Sequence, residues 1–163
     1  MRRGRHLKNS VAGRFSAPRR FLGNLRLNSE SLLRAAGVPA IDVCGIRMDT
    51  KDGADMSGGY HCWAQFCVPG CGWATADPAD VRKAMLTENI ELKDAGKWID
   101  FFWLGADGSR VILERGARGV AFAPAQAAGE LNYFMYPYAE VDGKALNYLS
   151  AKEFSYKVTY NTK

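Results

Sequence analysis

The sequence predicts an α+β domain whose strands form an antiparallel sheet. The segment YHCWAQF, residues 60–66, alternates with a period of two, and the turn VPGCG joins it to a returning strand, GWATA. Helices are predicted on both sides of this hairpin. The first is SESLLRAAG, residues 29–37. The second begins at Asp77-Pro78, where the acid is a typical N-cap and the proline a typical first helical residue.

The remaining elements follow from local patterns along the chain. The apolar stripe of the first helix is predicted to contain Leu32, Leu33, Ala35 and Ala36. Gly37 ends this helix, and Pro39 prevents its return. Further strands are predicted at VPAIDVCGIRM (38–48), KWIDFFWLG (97–105), SRVILE (109–114) and FSYKVTY (154–160). The segments TKDGADMSGG (50–59) and GVAFAPAQAAGE (119–130) are predicted as loops.

Charge is distributed unevenly along the 163 residues. Residues 1–29 carry eight basic residues and no acidic one, which leaves 14 basic and 17 acidic residues in the rest of the chain. The net charge of +5 therefore comes from the head and does not indicate a specific nucleic-acid interface on the domain. No run of about 18 apolar residues is present, so the sequence predicts no transmembrane segment.

The basic head, residues 1–30, is predicted to be disordered and to precede a folded domain of residues 31–163, because it has few apolar side chains. It lacks the apolar region of about 7–15 residues that a secretory signal needs. No export signal is therefore expected in this head. The compartment stays open, with the cytoplasm expected for the chain as written and export or the periplasm possible as for relatives. An arginine-rich, acid-free start also resembles a transit peptide, and a basic arm could contact phosphates.

The stretch HCWAQFCVPGCGWATADP, residues 61–78, concentrates residue types that carry chemistry. A Cys3His zinc set could be drawn from His61, Cys62, Cys67 and Cys71. Adjacent His61 and Cys62 point to opposite faces of a strand, however, and no second C-x2-C knuckle is present, so no metal is expected. Cys67 and Cys71 flank a short turn and could form a disulfide, although two free cysteines filling space are the preferred interpretation.

The same stretch resembles the His-Asp half of the transglutaminase-like superfamily, which has a papain-like cysteine catalytic design. The family pattern is approximately H-x-W-x-E-x-x-x-P-G-x-G-W-x-x-x-D-P. This chain matches it except at the acidic position, which is occupied by Gln65. RAAGVPA (34–40) and ELNYFMYPYAEVDGK (130–144) are similar to segments before and after the family core. The resemblance extends over about residues 31–160 and implies a transglutaminase-like, papain-like core.

The resemblance implies roles for individual residues. His61 and Asp77 would be the base and the acid of a Cys-His-Asp triad, in which an imidazole accepts the proton of a thiol and an acid orients the imidazole. Trp63, Trp73 and Gln65 would line the substrate groove. Protein or peptide substrates are implied, without a metal or another cofactor. Bacterial members are more often assigned to hydrolysis than to crosslinking, which points to a peptidase-like parent. Many bacterial members are also exported.

The nucleophile is not found in this chain. In the family the catalytic cysteine begins a helix, which would fall near Leu22 in RRFLGNLRL, but no cysteine precedes Cys44. The nucleophile part of the fold is therefore predicted to be incomplete, and the chain as written to be inactive. A truncated or shifted reading frame would explain the unrelated head, and a true pseudoenzyme is the alternative. A non-catalytic module that binds peptide or glycan between Trp63 and Trp73 is a second functional hypothesis.

Overall fold

A computed structural model describes residues 29–48, 51–116 and 119–161. The basic head therefore lies almost wholly outside the described residues, as does the segment around Leu22. The described helices are α1 (Ser29–Ala35), α2 (Pro78–Glu88) and α3 (Gly96–Phe102), and a 3-10 turn spans Leu92–Asp94. The strands are β1 (Ala40–Arg47), β2 (Tyr60–Val68), β3 (Gly72–Ala76), β4 (Arg110–Arg115), β5 (Glu140–Val141) and β6 (Lys144–Ala145).

The first four strands form one antiparallel sheet in the order β3-β2-β1-β4. The hairpin of β2 and β3 turns through residues 69–71, as the VPGCG segment predicts. Strands β5 and β6 form a separate two-stranded hairpin. The predicted α+β class with an antiparallel sheet and an N-terminal helix is confirmed, and this architecture agrees with a transglutaminase-like fold.

The two faces of the sheet differ in character, because successive residues of a strand point to opposite sides. We call the side of β2 that carries His61, Trp63, Gln65 and Cys67 the histidine face. We call the side that carries Cys62, Ala64 and Phe66 the thiol face. Residues directly opposite each other on paired strands share a face, so Gly45, which pairs with His61, belongs to the histidine face.

Two apolar clusters stabilise the domain. One is built on the thiol face from Val38, Ala40, Phe66, Val68 and Ala76, against which Leu33 and Trp103 pack. The other joins the last two helices through Val81, Met85, Ala95 and Phe102. Burial of such side chains from water is the main favourable contribution to folding. The second cluster therefore packs α2 against α3.

The predicted strand at 97–105 is wrong, because residues 96–102 form helix α3. Trp98 and Phe102 lie four residues apart and therefore share one side of a helix, where their rings stack with centroids 6.1 Å apart. Both contact the cluster formed with α2. This packing gives the aromatic run a helical conformation that its β-forming residue types do not predict.

The predicted final strand at 154–160 is also wrong. Thr159 forms only an isolated bridge with Asp55, and nearby backbone bonds join Met56 to Val158 and Ala54 to Tyr160. These partners belong to the loop before β2, and the segment does not join the sheet. The loop prediction for 119–130 agrees with the structure in its described residues apart from an isolated bridge between Val120 and Leu131.

The first helix is confirmed, but its predicted apolar stripe is not buried. Leu33 alone among the four stripe residues packs against the thiol-face cluster, and Leu32 is 42% exposed. The helix has only two turns and contacts the strands β1 and β2, and Leu33 is the stripe residue that reaches the core. Across the described ranges, no helix is long and apolar enough to cross a membrane.

Candidate functional site

The candidate site begins with a hydrogen bond between two residues of the HCWAQFCVPGCGWATADP stretch. His61 lies near the start of β2, and Asp77 directly follows β3 as the N-cap of α2. His61 Nε2 lies 2.7 Å from Asp77 Oδ2, which is the direct contact that the sequence predicts. The hairpin returns β3 beside β2, and the helix start then turns the carboxylate toward the imidazole. Local sequence therefore positions both groups.

The two oxygens of Asp77 have separate partners. Oδ1 accepts a hydrogen bond from the backbone amide of Asp80 at 3.0 Å, which is the capping bond of α2. Oδ2 faces His61 and also accepts a 2.6 Å bond from Nη1 of Arg110. The carboxylate of Asp77 is fully buried. This set of bonds allows one orientation for the carboxylate and presents one oxygen to the imidazole.

Arg110 connects the carboxylates around the histidine. Its guanidinium donates from Nη2 to Asp80 at 2.8 Å and to Asp107 at the same distance, in addition to its bond with Asp77. The side chain is only 5% exposed and lies 5.0 Å from the ring centroid of Trp63. A planar guanidinium spreads its donors over three nitrogens and can bridge several carboxylates in this way, whereas a lysine ammonium presents its three donors from a single atom. Arg110 is therefore the centre of a buried ion network.

Arg47 adds a second cation to this network. Arg47 on β1 is directly opposite Arg110 on β4 in the strand register. Its side chain forms an ion pair with Asp80. Asp80 Oδ2 also lies 3.8 Å from His61 Nε2. Two guanidinium groups on the histidine face thus offset most of the negative charge of the three carboxylates, which limits the cost of burying it.

The surroundings of Asp77 change its acidity in opposing directions. Burial raises the pKa of its carboxyl group, but the bonds and charges of His61 and Arg110 outweigh burial and lower the pKa to about 2. The pKa of Arg110 is raised. Burial lowers this pKa, but the hydrogen bonds to Asp107 and Asp77 raise it by more. Asp77 is therefore ionised throughout the neutral range.

We expect this buried carboxylate to make the domain sensitive to acid. The pKa of Asp77 is lower in the folded chain than the ordinary value of 3.8, so its ionisation stabilises the fold above pH 4. That contribution, about 2 kcal/mol, is lost as the pH falls from about 4 through 2. Urea unfolding of the wild type and of Asp77→Asn at pH 5 and at pH 2.5 measures it. Equal losses of stability in both proteins would contradict the assignment.

The arrangement places three residues of metal-binding types, one histidine and two aspartates, close together. Ligand atoms of His61, Asp77 and Asp80 lie within 4.8 Å of one another. Arg110 donates to both carboxylates, so its guanidinium already occupies the position from which a cation would neutralise them. This donor set therefore fits an arginine-bridged ion network better than a metal centre, and the absence of a metal at His61 stays a prediction.

The predicted groove residues are placed apart from one another. Trp63 is only 6% exposed and packs against Gly45, where an added Cβ would lie 2.6 Å from the indole ring. Trp73 pairs with Cys67 and is 49% exposed. Its partner Cys67 is six residues along β2 from His61, so Trp73 lies roughly 20 Å from His61 at the usual rise of a strand. The two tryptophans thus do not form opposite walls of one groove, and Gln65 contacts Arg115.

The four cysteines are placed away from the imidazole. Cys44 and Cys62 lie on the thiol face, with their sulfur atoms 3.6 Å apart, so the expected opposite orientation of His61 and Cys62 is confirmed. Cys67 shares the histidine face, but it lies near the far end of β2, and Cys71 is exposed in the turn. All four are free thiols in this structure.

Sequence reasoning missed the ion network. Asp80 and Arg110 contact each other across 30 residues, and Arg47 and Asp80 across 33. Each is an ordinary surface residue when considered alone. One signal was present, because Arg47 directly follows the apolar run VCGI (43–46) and Arg110 directly precedes the apolar run VIL (111–113). Charges at such positions indicate ionic partners on the covered face of a sheet.

A comparison with known protein families matches part of the chain. Residues 29–78, which include both His61 and Asp77, match the family model of the transglutaminase-like superfamily. This segment of the chain is thus similar to the transglutaminase-like superfamily.

The chain is also 35% identical to a protein of Haemophilus influenzae that is described as uncharacterized. That alignment extends over 145 residues and covers 77% of this chain. The chain spans 39% of the length of this curated relative. No solved structure matches the chain.

Proposed function

We propose that this domain provides the imidazole and carboxylate of a transglutaminase-like thiol site that acts on amide bonds, by peptidase-like hydrolysis or by acyl transfer. The observation that carries the proposal is the 2.7 Å contact between His61 Nε2 and the buried Asp77 carboxylate. An acid in this position orients the imidazole and stabilises its protonated form. The family match over the same residues supports the proposal.

The contact also indicates which nitrogen does the chemistry. A carboxylate that is ionised at neutral pH accepts a hydrogen bond, so Nε2 carries the proton in the bond with Asp77. The lone pair of the neutral imidazole is then on Nδ1, which can accept the proton of a thiol. The thiolate attacks the amide carbonyl to form an acyl-thioester, and the imidazolium returns its proton to the departing amine.

Arg110 is a positioning residue in this proposal. It holds Asp77 Oδ2 at 2.6 Å and lowers the pKa of the carboxyl group together with His61. The same oxygen therefore serves two donors, and each donor restricts where the other lies. An imidazole held in this way loses less orientational freedom in the reaction.

The nucleophile is proposed to lie outside the described cysteines. Cys44 and Cys62 are separated from the imidazole by the sheet itself, and Cys67 is roughly 20 Å along the strand. A general base must come within hydrogen-bond reach of the proton that it removes. We therefore propose that the chain alone is inactive toward amides, and that another segment or chain must supply the thiol.

A binding module remains the second candidate. Trp73 is 49% exposed beside the hairpin turn, which is a position where an indole can contact a peptide or a sugar ring. Trp63 does not support this role, because it is buried against Gly45 and Arg110. The interaction would then depend on Trp73 and not on His61.

We expect the His61-Asp77 pair to promote attack by a thiol that is added from solution. The reaction is thiolysis of a p-nitrophenyl ester by cysteamine, in which a C–S bond forms, the aryl ester bond breaks and p-nitrophenol leaves. A positioned general base contributes about 10²–10⁴-fold, and an added thiol that is not held by the site should obtain about 10-fold. The rate is followed by p-nitrophenolate absorbance and should fall to the solution value in His61→Ala.

The chain provides a matched control, because its second histidine is His6 in the basic head. His6→Ala should retain the full stimulation, and Asp77→Asn should lose most of it because the imidazole is no longer oriented by an acid. Stimulation that persists in His61→Ala would refute the proposal. Hydrolysis of a peptide or glutamine substrate by the unmodified chain, lost in Cys67→Ser or another cysteine variant, would refute the placement of the nucleophile.

A further inference from the structure

The thiol face carries three sulfur atoms that the proposed function does not use. Cys44 and Cys62 are directly opposite on β1 and β2, with Sγ atoms 3.6 Å apart. Met135, in the chain segment before β5, places its Sδ atom 3.3 Å from Cys62 Sγ. Two thiols and a thioether thus meet on one side of the sheet, with contributions from three separate parts of the chain. We propose that Cys44, Cys62 and Met135 form a binding site for a single Cu(I) ion.

The spacing of the sulfur atoms suits a three-coordinate ion. Metal–thiolate bonds are about 2.3 Å long, so three sulfur ligands arranged around one ion lie about 4 Å from one another. Cys62 Sγ lies 3.6 Å from Cys44 Sγ and 3.3 Å from Met135 Sδ, and both separations are shorter than this by a few tenths of an ångström. Small rotations of the side chains would open the space for the ion without moving the strands.

The ligand types select the metal. Thiolate and thioether are soft ligands that favour Cu(I), whereas carboxylate and carbonyl oxygens favour hard cations. A structural zinc site needs four ligands, and thioether sulfur is not among its usual ones. His61, the nearest imidazole in sequence, points to the opposite face of the sheet and cannot complete a zinc set from there.

The three sulfur ligands are only partly accessible to solvent. Cys44 is only 4% exposed, whereas Cys62 and Met135 are half-buried. Aromatic side chains lie on the same face, since Tyr60 is two residues before Cys62 on β2 and its ring lies 4.8 Å from that of Tyr136, centroid to centroid. Restricted access of this kind protects a bound Cu(I) ion from water and oxidants, because the surrounding shell controls exposure of a metal site.

The test is a Cu(I) titration of the reduced full chain under anaerobic conditions, in competition with bicinchoninate. We expect one Cu(I) per chain and ultraviolet thiolate-to-copper charge-transfer absorption. X-ray absorption of the complex should show a first shell of sulfur alone. Zn(II) in a parallel titration should bind more weakly than Cu(I). Tighter binding of Zn(II), or a first shell that contains nitrogen, would overturn the proposal.

Variants separate this site from other thiols. Cys44→Ser and Cys62→Ser should abolish the stoichiometric binding. Met135→Leu, which conserves volume, should weaken it by at least the amount typical of a lost supporting contact, about 10–100-fold. The matched control is Cys67→Ser/Cys71→Ser, which removes the other two cysteines and should bind Cu(I) as the wild type does. Undiminished binding in either Cys44→Ser or Cys62→Ser, or loss of binding in the control, would overturn the proposal.

Stability measurements prevent confusion of lost binding with lost folding. Circular dichroism and the melting temperature of each apo variant establish that it is folded before titration. Met135→Leu is the decisive variant if the serine variants unfold, and a wild-type affinity in folded Met135→Leu would exclude the three-sulfur site. The site lies on the face opposite His61, so His61→Ala should bind Cu(I) normally. Cu(I) binding at Cys44, Cys62 and Met135 is therefore independent of the amide-bond chemistry proposed for His61 and Asp77.

Discussion

Arg110→Met is expected to lower the free energy of unfolding by about 3–5 kcal/mol, the range observed when one partner of a buried ion pair is removed. The guanidinium is 5% exposed and donates to Asp77 and Asp80, whose side chains are 0% and 8% exposed. Methionine keeps much of the volume but leaves these carboxylates with less compensation in a buried position. Urea denaturation at pH 7 measures the loss.

Arg115→Met is the matched control for this change, since it alters the same residue type on the same strand. Arg115 contacts Gln65 at an exposed position. Exposed polar contacts contribute about 0–1 kcal/mol, so this variant should remain close to the wild type. Similar losses in Arg110→Met and Arg115→Met would show that the buried network has no special role in stability.

Trp63→Ala is expected to destabilise the domain by about 3–5 kcal/mol, as is usual when a large buried aromatic side chain is removed. Trp63 is 6% exposed, and its ring fills the space above Gly45, which lacks a side chain. The indole also lies under Arg110, with 5.0 Å between the guanidinium carbon and the ring centroid, and 6.0 Å from the His61 ring. Its loss should therefore loosen the imidazole as well as the core.

Trp73→Ala provides the comparison, because this tryptophan is on the same face of the same sheet but is 49% exposed. We expect a loss of less than about 1 kcal/mol, as for surface substitutions in general. Thermal unfolding of both variants followed by circular dichroism measures the difference. If Trp73→Ala were the more damaging variant, the assignment of Trp63 to structure and of Trp73 to the surface would be reversed.

The parts of the site that could be predicted from sequence are those that local rules determine. Alternation in YHCWAQF places His61 and Cys62 on opposite faces, and Asp77-Pro78 identifies both a helix cap and the partner of His61. The family pattern covers the same short stretch. A hairpin brings its two ends together over 16 residues, so no distant contact is needed.

The parts that could not be predicted depend on contacts between distant segments. The run KWIDFFWLG becomes a helix because Trp98 and Phe102 pack against α2, and its β-forming aromatics do not reveal that partner. The sulfur cluster joins residues separated by 18 and 73 positions, and nothing near Met135 in the sequence indicates a ligand. Such sites require the tertiary fold.

Asp77 links the order of the histidine to the order of a helix end. Because Oδ1 holds the backbone amide of Asp80 and Oδ2 holds the imidazole, unwinding the first turn of α2 also frees His61. Helix ends open more readily than helix centres, so this opening sets an upper limit on how long the imidazole stays aligned. The rate of hydrogen exchange at the backbone amide of Asp80 thus reports how often the His61 imidazole on β2 loses its alignment.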